Sequence, residues 1–167
     1  MEKLKKEIKV WLFIILLSLI IGIIISNHYT FYIIKGNSML NTLKNNEYIL
    51  IKKSNKNFFR KDIIIFKKIL KNRIVKKQTF IKRIIAKEGD HLIIKDGEIY
   101  LNNKKLSEKY LKSDYTKGSI DIIIPEDNYF VMGDNRKESL DSRNEQIGLV
   151  KKSEIIGKLK YEIFKWF

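Results

Sequence analysis

An uninterrupted apolar segment near the N-terminus constrains this chain more than any other feature of its sequence. Residues Val10 to Ser26 read VWLFIILLSLIIGIIIS and carry no charge. In an α-helix these residues span about 25 Å, which is at the short end of what crosses a bilayer. We therefore predict a transmembrane anchor over residues 10–27. The C-terminal KLKYEIFKWF is too short and too charged to be a second membrane segment.

The charges beside the anchor predict its orientation. Four lysines precede it: Lys3, Lys5, Lys6 and Lys9. Positive charge is retained on the cytoplasmic side, so residues 1–9 are predicted to be cytoplasmic and residues 28–167 to form an extracytoplasmic domain at the plasma membrane. A cleaved secretory signal peptide has the same order of charged and apolar residues and is the alternative. The apolar run ends in ISNHYT, which has no small-x-small cleavage site, and this favours an uncleaved anchor.

Composition narrows the possible function classes. The 167 residues include 34 Lys and Arg against 19 Asp and Glu, a net charge of +15, and only five of the basic residues are arginines. Base-specific reading of a duplex favours Arg, so nucleic acid is not expected as a partner, whereas a Lys-rich surface suits anionic membrane lipid. A bias toward A/T-rich codons is the alternative source of this charge. The absence of cysteine excludes thiolate sites and cysteine nucleophiles, and two histidines are too few for most metal or Ser-His chemistry, so no metal or cofactor is expected.

The predicted extracytoplasmic domain has a β-rich sequence. Short β-branched and aromatic runs alternate with polar turns, and the fold class is therefore mostly β after one N-terminal helix. Asp96-Gly97 between two such runs predicts a two-residue hairpin turn. The basic stretch 67–78 is predicted to be an exposed hairpin or loop with a solvated face. The predicted strands include Tyr48 to Ile51, Asp62 to Phe66, Thr79 to Ile85, His91 to Ile94, Glu98 to Leu101, Ile120 to Ile124 and Tyr129 to Met132, and an extended apolar run, Phe31 to Ile34, leads to Ser38.

Three segments carry side chains suited to chemistry. Ser38 follows Gly36, which can expose the serine hydroxyl on a turn, although most such serines only hydrogen-bond a loop. Lys82 shares strand parity with Phe80 and Ile84, so burial would lower its pKa toward that of a general base, unless its amine reaches water. The run GDNRKESLDSR at 133–143 concentrates acids, amides, hydroxyls and arginines, either as a mutually satisfied cluster or as a surface loop with local ion pairs.

Together these segments resemble type I signal peptidases, the membrane-bound Ser-Lys proteases that remove signal peptides from exported preproteins. GNSM followed by Thr42-Leu43 is similar to the nucleophile box of that family, and Lys82-Arg83 followed by Gly89-Asp90 is similar to its lysine box. GDNRKESLDSR is similar to the family's C-terminal signature, and Asp62 to Phe66 is similar to a fourth box. The resemblance covers essentially the whole chain and implies a signal-peptidase-like catalytic domain.

The resemblance also implies a role for each matching residue. Ser38 would be the nucleophile and Lys82 the general base, with no metal or cofactor. The Ser38 amide would meet the oxyanion, and Gly36 stands where some relatives have a serine that assists. Ser139 would orient the lysine amine, and Asp141 and Arg143 would form a structural ion pair. The same part of the site would be supported by Asp134, Asn135 and Arg136. The residues expected to contact the signal peptide are Tyr32, Ile33, Ile34, Gly36, Met39, Phe80 and Ile81.

The sequence departs from the family pattern at four positions without reacting groups. Proline is usual where Asn41 and Glu88 stand, and glycine is usual where Lys61 and Ala86 stand. These departures bear on loop rigidity near Ser38 and on substrate range.

Two other functions are compatible with parts of the sequence. A Ser-Lys self-cleaving repressor-type protease shares the dyad but requires a DNA-binding helix-turn-helix, whereas this chain has an apolar helix. A catalytically silent, membrane-anchored β-domain could bind or assemble envelope partners. Such a module would have no reason to keep both Ser38 and Lys82.

Overall fold

The N-terminal segment forms one long helix that stands apart from the rest of the chain. The structure is a computed structural model that describes residues 2–40, 42–54, 56, 58–71, 75–111 and 115–163. Helix α1 spans Glu2–His28, about 40 Å, and none of its residues is buried. In this part of the chain it is the one helix long and apolar enough to cross a membrane. It begins eight residues before the predicted anchor and continues directly into the first strand.

The chain beyond α1 is built of strands, which confirms the predicted mostly β fold class. The bounds of the strands are β1 Tyr29–Ile33, β2 Tyr48–Lys53, β3 Ile63–Lys71, β4 Val75–Lys87, β5 His91–Lys95, β6 Glu98–Leu101, β7 Lys104–Lys105, β8 Ile120–Ile123, β9 Asn128–Met132, β10 Val150–Lys151 and β11 Ile155–Ile163. Two short 3-10 helices lie at Arg136–Glu138 and Lys152–Glu154.

The strands form two antiparallel sheets. The larger has the order β1-β2-β11-β3-β4-β9-β10, and the smaller has the order β7-β6-β5-β8. Strand β4 pairs with the whole of β3 through its residues Val75 to Arg83, and Ile64 lies opposite Lys82. On its other side, β4 pairs with β9 only through Arg83 to Lys87. Among the described strands, none pairs with this side of β4 before Arg83, so an edge of backbone is left open beside Lys82.

The middle of the larger sheet is buried on both faces. In β3, Ile64 and Phe66 belong to one apolar cluster with Phe80 and Ile84 of β4. The alternate residues Ile63 and Ile65 belong to a second cluster on the opposite face, with Ile49, Ile51, Met39 and Leu43. Successive side chains of a strand point to opposite faces, so the run of apolar residues in β3 is what a strand covered on both sides requires.

Two basic segments form more strand than the sequence predicted. Within the stretch 67–78, predicted to be a hairpin or loop, β3 reaches Lys71 and β4 begins at Val75, and the two strands pair up to these residues, while residues 72–74 lie outside the described part. The C-terminal segment forms β11, which lies between β2 and β3 inside the sheet. The Asp96-Gly97 turn is confirmed, because both residues have positive φ, 53° and 83°.

Candidate active site

Ser38 lies on a turn that follows the first strand. Gly36 has a φ of +91°, a left-handed conformation that favours glycine, and its amide donates to Asn45 Oδ1 at 2.9 Å. Met39 is buried and its carbonyl accepts the Leu43 amide at 2.8 Å, which closes one helical turn behind the serine. The buried Met39 thus fixes the turn, and the half-buried Ser38 is left on its outer side.

Lys82 brings its amine to the serine hydroxyl from the middle of β4. The distance from Lys82 Nζ to Ser38 Oγ is 2.6 Å, and Nζ also donates to the Ile81 carbonyl at 3.0 Å. The residue is only 3% exposed, and its amine lies 5.8 Å from the centre of the Phe80 ring. Burial lowers the pKa of Lys82 to about 8, although the nearby carboxylates of Asp141 and Asp134 act in the opposite direction. A modest cost in free energy therefore yields the neutral amine that a general base requires.

A cleft of about 360 Å³ opens beside these two side chains. One wall is the chain from Tyr32 to Met39, and the other is the open edge of β4. The predicted substrate-contacting residues all line it: Tyr32, Ile33, Ile34, Gly36, Met39, Phe80 and Ile81. Their contact with a substrate remains a prediction. The cleft is also lined by seven residues that were not among the predicted contacts: Lys35, Asn37, Ile65, Gln78, Thr79, Glu138 and Leu140.

The loop after β9 ties the nucleophile turn to β4. The Asn135 amide donates to the Ser38 carbonyl at 3.0 Å, and Asn135 Nδ2 donates to the Asn37 carbonyl at 3.1 Å. Asp134 is buried and accepts two hydrogen bonds from Arg83, at 2.8 and 2.6 Å, and a third from the Thr42 hydroxyl. Bidentate Arg–carboxylate pairs fix both distance and orientation. Arg83 therefore holds the loop against the strand that carries Lys82.

The remaining residues of this loop form a second charged cluster. Arg143 donates to Asp141 at 2.8 and 2.9 Å, so the predicted ion pair is present, and Asp141 also accepts the Gly133 amide at 3.0 Å. Arg136 donates to Glu108 at 2.6 Å and to the Gly133 carbonyl at 3.2 Å. Asp141, Arg136 and Glu108 are buried, Arg143 is half-buried, and the four groups satisfy one another, which is the first of the two alternatives that the sequence allowed.

Ser139 does not make the contact that the sequence predicted. The described hydrogen bonds of Lys82 Nζ go to Ser38 and to the Ile81 carbonyl, and Ser139 Oγ is buried with no partner among the described residues. The hydroxyl lies beside Gly133, close to where a Cβ would stand on that glycine. A main-chain carbonyl therefore positions the lysine amine in this structure, and a role for Ser139 in orienting it remains a prediction.

Several supporting residues were not identified from sequence. Arg83 adjoins Lys82 in a strand buried on both faces, and a buried guanidinium requires an acidic partner, so the sequence does carry a signal for its role. Tyr110, whose ring lies 4.0 Å from the Arg83 guanidinium, and Glu108 come from a polar loop without a recognisable pattern. In the described part of the chain, no three or more His, Cys, Asp or Glu side chains converge as metal ligands.

Three of the four departures from the family pattern can be placed. Lys61 is exposed and has a φ of +74°, a conformation in which glycine is less strained. Ala86 is fully buried at a register shift in β4, and the Glu88 carboxylate accepts the Asp127 amide at 3.0 Å. Asn41 lies outside the described residues.

The family model, the relatives and the solved structure reported next are each described as a signal peptidase. The family model described as "Signal peptidase, peptidase S26" matches residues 6–164. Signal peptidase I U of Bacillus subtilis (strain 168) is 38% identical, over 93% of this chain and 87% of its own. A signal peptidase I of Bacillus amyloliquefaciens is 33% identical, over 98% of this chain and 92% of its own. A crystal structure of a signal peptidase I from Enterococcus faecalis V583 has 32% identity and a TM-score of 0.48, and covers 64% of this chain and 100% of that one.

Proposed function

Since this chain belongs to the S26 family of signal peptidases, we propose that it is a membrane-anchored serine endopeptidase that removes N-terminal signal peptides from exported preproteins. One observation carries the proposal: Ser38 Oγ lies 2.6 Å from the amine of the buried Lys82. A general base must lie within hydrogen-bond reach of the proton that it takes, and this pair meets that condition.

Acylation follows from the geometry of the pair. Neutral Lys82 accepts the proton of Ser38 as Oγ attacks the carbonyl carbon of the scissile peptide bond. The developing oxyanion accepts a hydrogen bond from the Ser38 backbone amide, and Gly36 offers no side-chain donor beside it. The lysine then returns its proton to the leaving amine, and the peptide bond breaks. The signal peptide remains as an ester on Ser38, and the mature protein departs with a free N-terminus.

Deacylation uses the same base a second time. Lys82 removes a proton from a water molecule as its oxygen attacks the ester carbonyl. The ester bond breaks, the proton passes to Ser38 Oγ, and the signal peptide leaves as a carboxylic acid. The neutral amine and the serine hydroxyl are restored, so the cycle needs no other reactant than water.

The open edge of β4 supports binding of the substrate as an added strand. Backbone groups from Thr79 to Ile81 face the cleft without a paired strand, opposite the segment from Ile33 to Gly36. An extended peptide between them would use main-chain hydrogen bonds for affinity and shallow pockets for specificity. Such pockets would admit only small side chains at the first and third positions before the cut.

The helix supports a site at the outer surface of the membrane. His28 ends α1, and Ser38 follows ten residues later, at most about 35 Å along an extended chain. With the N-terminus in the cytoplasm, the cleft lies where a preprotein emerges from the bilayer. The Lys-rich surface would interact with anionic lipid there.

Cleavage of a preprotein by the purified full chain in detergent tests this proposal. Ser38→Ala removes the nucleophile, and Lys82→Arg leaves a side chain that stays protonated and cannot accept a proton. We expect both variants to lose activity by at least a hundredfold while keeping the wild-type circular dichroism spectrum. Matched controls are Ser153→Ala and Lys77→Arg, which change the same residue types at exposed positions that do not line the cleft and should retain activity.

The same preparation separates an enzyme from a silent binding domain. A serine-directed acylating probe should add its mass to the peptide that contains Ser38, and the Lys82→Arg variant should react far more slowly. Substantial turnover by Lys82→Arg would contradict the dyad. A folded wild-type chain that neither cleaves preproteins nor reacts with the probe would favour the silent domain.

A further inference from the structure

Glu138 places a negative charge in the cleft that the proposed mechanism does not use. It is the only Asp or Glu among the described residues that line the cleft, and the cationic lining residues are Lys35 and Lys82. The side chain is exposed, and no described residue forms an ion pair or hydrogen bond with its carboxylate. Two other acids of the same loop, Asp134 and Asp141, are each buried in a bidentate arginine pair. Glu138 thus remains available to a bound molecule.

The backbone directs this carboxylate toward the cleft. Ser139 has an extended conformation, with φ −113° and ψ 121°, so the side chains before and after it point to one side. Glu138 and Leu140 accordingly both line the cleft, whereas Ser139 and Asp141 line a different pocket. The direction of the Glu138 side chain therefore follows from the main chain of an anchored loop.

Glu138 is also held close to the nucleophile. Its amide donates to the Asn135 carbonyl at 3.1 Å, and the Asn135 amide donates to the Ser38 carbonyl at 3.0 Å. Two hydrogen bonds therefore connect the two residues through Asn135. The main chain of Glu138 is thus anchored beside the nucleophile turn, and its side chain lines the same cleft as Ser38.

We infer that Glu138 makes this peptidase select preproteins that carry Lys or Arg within two residues of the cleavage site. This inference rests on the proposed function and adds a substrate class to it. A chain with a net charge of +15 repels cationic segments at long range. A local carboxylate is therefore required to favour a cationic substrate residue in the cleft. A carboxylate or other anion at the same substrate position would be disfavoured.

Pairs of preproteins that differ at one residue test the inference in the full chain. Lys, Gln or Glu is placed in turn at the second position before the cut and at the first and second positions after it. An exposed ion pair is worth about two- to fivefold, so at one of these positions kcat/KM should be two- to fivefold higher for Lys than for Gln. Salt screens such a pair, and the preference should shrink between 50 and 500 mM NaCl.

Charge variants assign the preference to this residue. We expect Glu138→Gln to abolish the preference for Lys over Glu, and Glu138→Lys to reverse it. The matched control is Glu126→Lys, which reverses the charge of an exposed residue. Glu126 precedes β9, whereas Glu138 follows it, so this variant should keep the wild-type preference. If Glu138→Gln retains the wild-type preference, or Glu126→Lys removes it, the inference is wrong.

Binding to an inactive chain separates this inference from the proposed function. The Kd of fluorescent Lys and Glu peptides is measured with Ser38→Ala, alone and combined with Glu138→Lys. A preference that reverses in the double variant supports the inference even if the wild-type chain cleaves nothing, which would refute only the proposed function. Cleavage without any charge preference in either assay would refute only the inference.

Discussion

At the scale of single residues, the account depends on an amine buried where a charge is unfavourable. The free amine of lysine has an ordinary pKa near 10.5, and burial lowers the pKa of Lys82 to about 8. Between these two pH values the unfolded chain binds a proton that the folded chain does not bind. Stability therefore increases with pH across this interval, and the folded protein is less stable at neutral pH because Lys82 is present.

Replacement of the base by an apolar side chain should therefore stabilise the protein. We expect Lys82→Met to be inactive but to raise the free energy of unfolding at pH 7 by on the order of 2 to 3 kcal/mol. The advantage over wild type should decrease as the pH rises from 8 to 10. Urea unfolding of the full chain in detergent at both pH values measures this, with the exposed Lys77→Met as control. A Lys82→Met variant less stable than wild type at pH 7 would contradict the account.

Strand parity was sufficient to predict the environment of Lys82 but not its supporting residues. Phe80 and Ile84, two residues away on either side, share a cluster with Ile64 of the neighbouring strand, so burial of Lys82 followed from local sequence. The Arg83–Asp134 pair joins residues 51 positions apart. No local pattern specifies such a pairing, because it exists only after the sheet has formed.

At the scale of elements, the open edge of β4 forms one wall of the cleft. The interior strands of the larger sheet were predictable because β-branched residues in β3 and β4 are buried on both faces. The strand β11 was not predicted, and the basic ends of β3 and β4 were predicted only as a hairpin or loop, for a common reason. Lysines are interspersed among apolar residues there, and strand pairing rather than local hydrophobicity determines the structure.

The turn that precedes β3 offers a test of backbone strain. Lys61 has a φ of +74°, and its amide and carbonyl are both hydrogen-bonded, to Ile84 and to Arg83. We expect Lys61→Gly to be more stable than Lys61→Ala by about 1 kcal/mol, because a Cβ is unfavourable in this conformation. At Lys67, an exposed position within β3, the order of the Gly and Ala variants should be opposite. Thermal unfolding of the four variants measures this. Equal stabilities of the Gly and Ala variants at position 61 would contradict the positive φ of Lys61.

At the scale of the whole molecule, the apolar part of α1 and the lysines in its first turns are predicted to determine on which side of the membrane the cleft lies. The chain contains no cysteine, so single introduced thiols can report its topology. A thiol from Ser119→Cys, at an exposed position, should react with an impermeant reagent in intact cells, and one from Glu2→Cys should react only after lysis. The reverse pattern would place the cleft in the cytoplasm and contradict the proposed substrate.

The pH dependence of kcat/KM for preprotein cleavage tests the central claim most directly. A protonated amine cannot accept the proton of Ser38, so activity should rise with pH along an acid limb whose apparent pKa is about 8. Histidine is the side chain that ordinarily titrates closest to neutral pH, and the chain has only His28 and His91. The account predicts that this limb is unchanged in the His28→Gln/His91→Gln double variant. Loss of the limb in that variant would transfer the role of general base from Lys82 to a histidine and contradict the account.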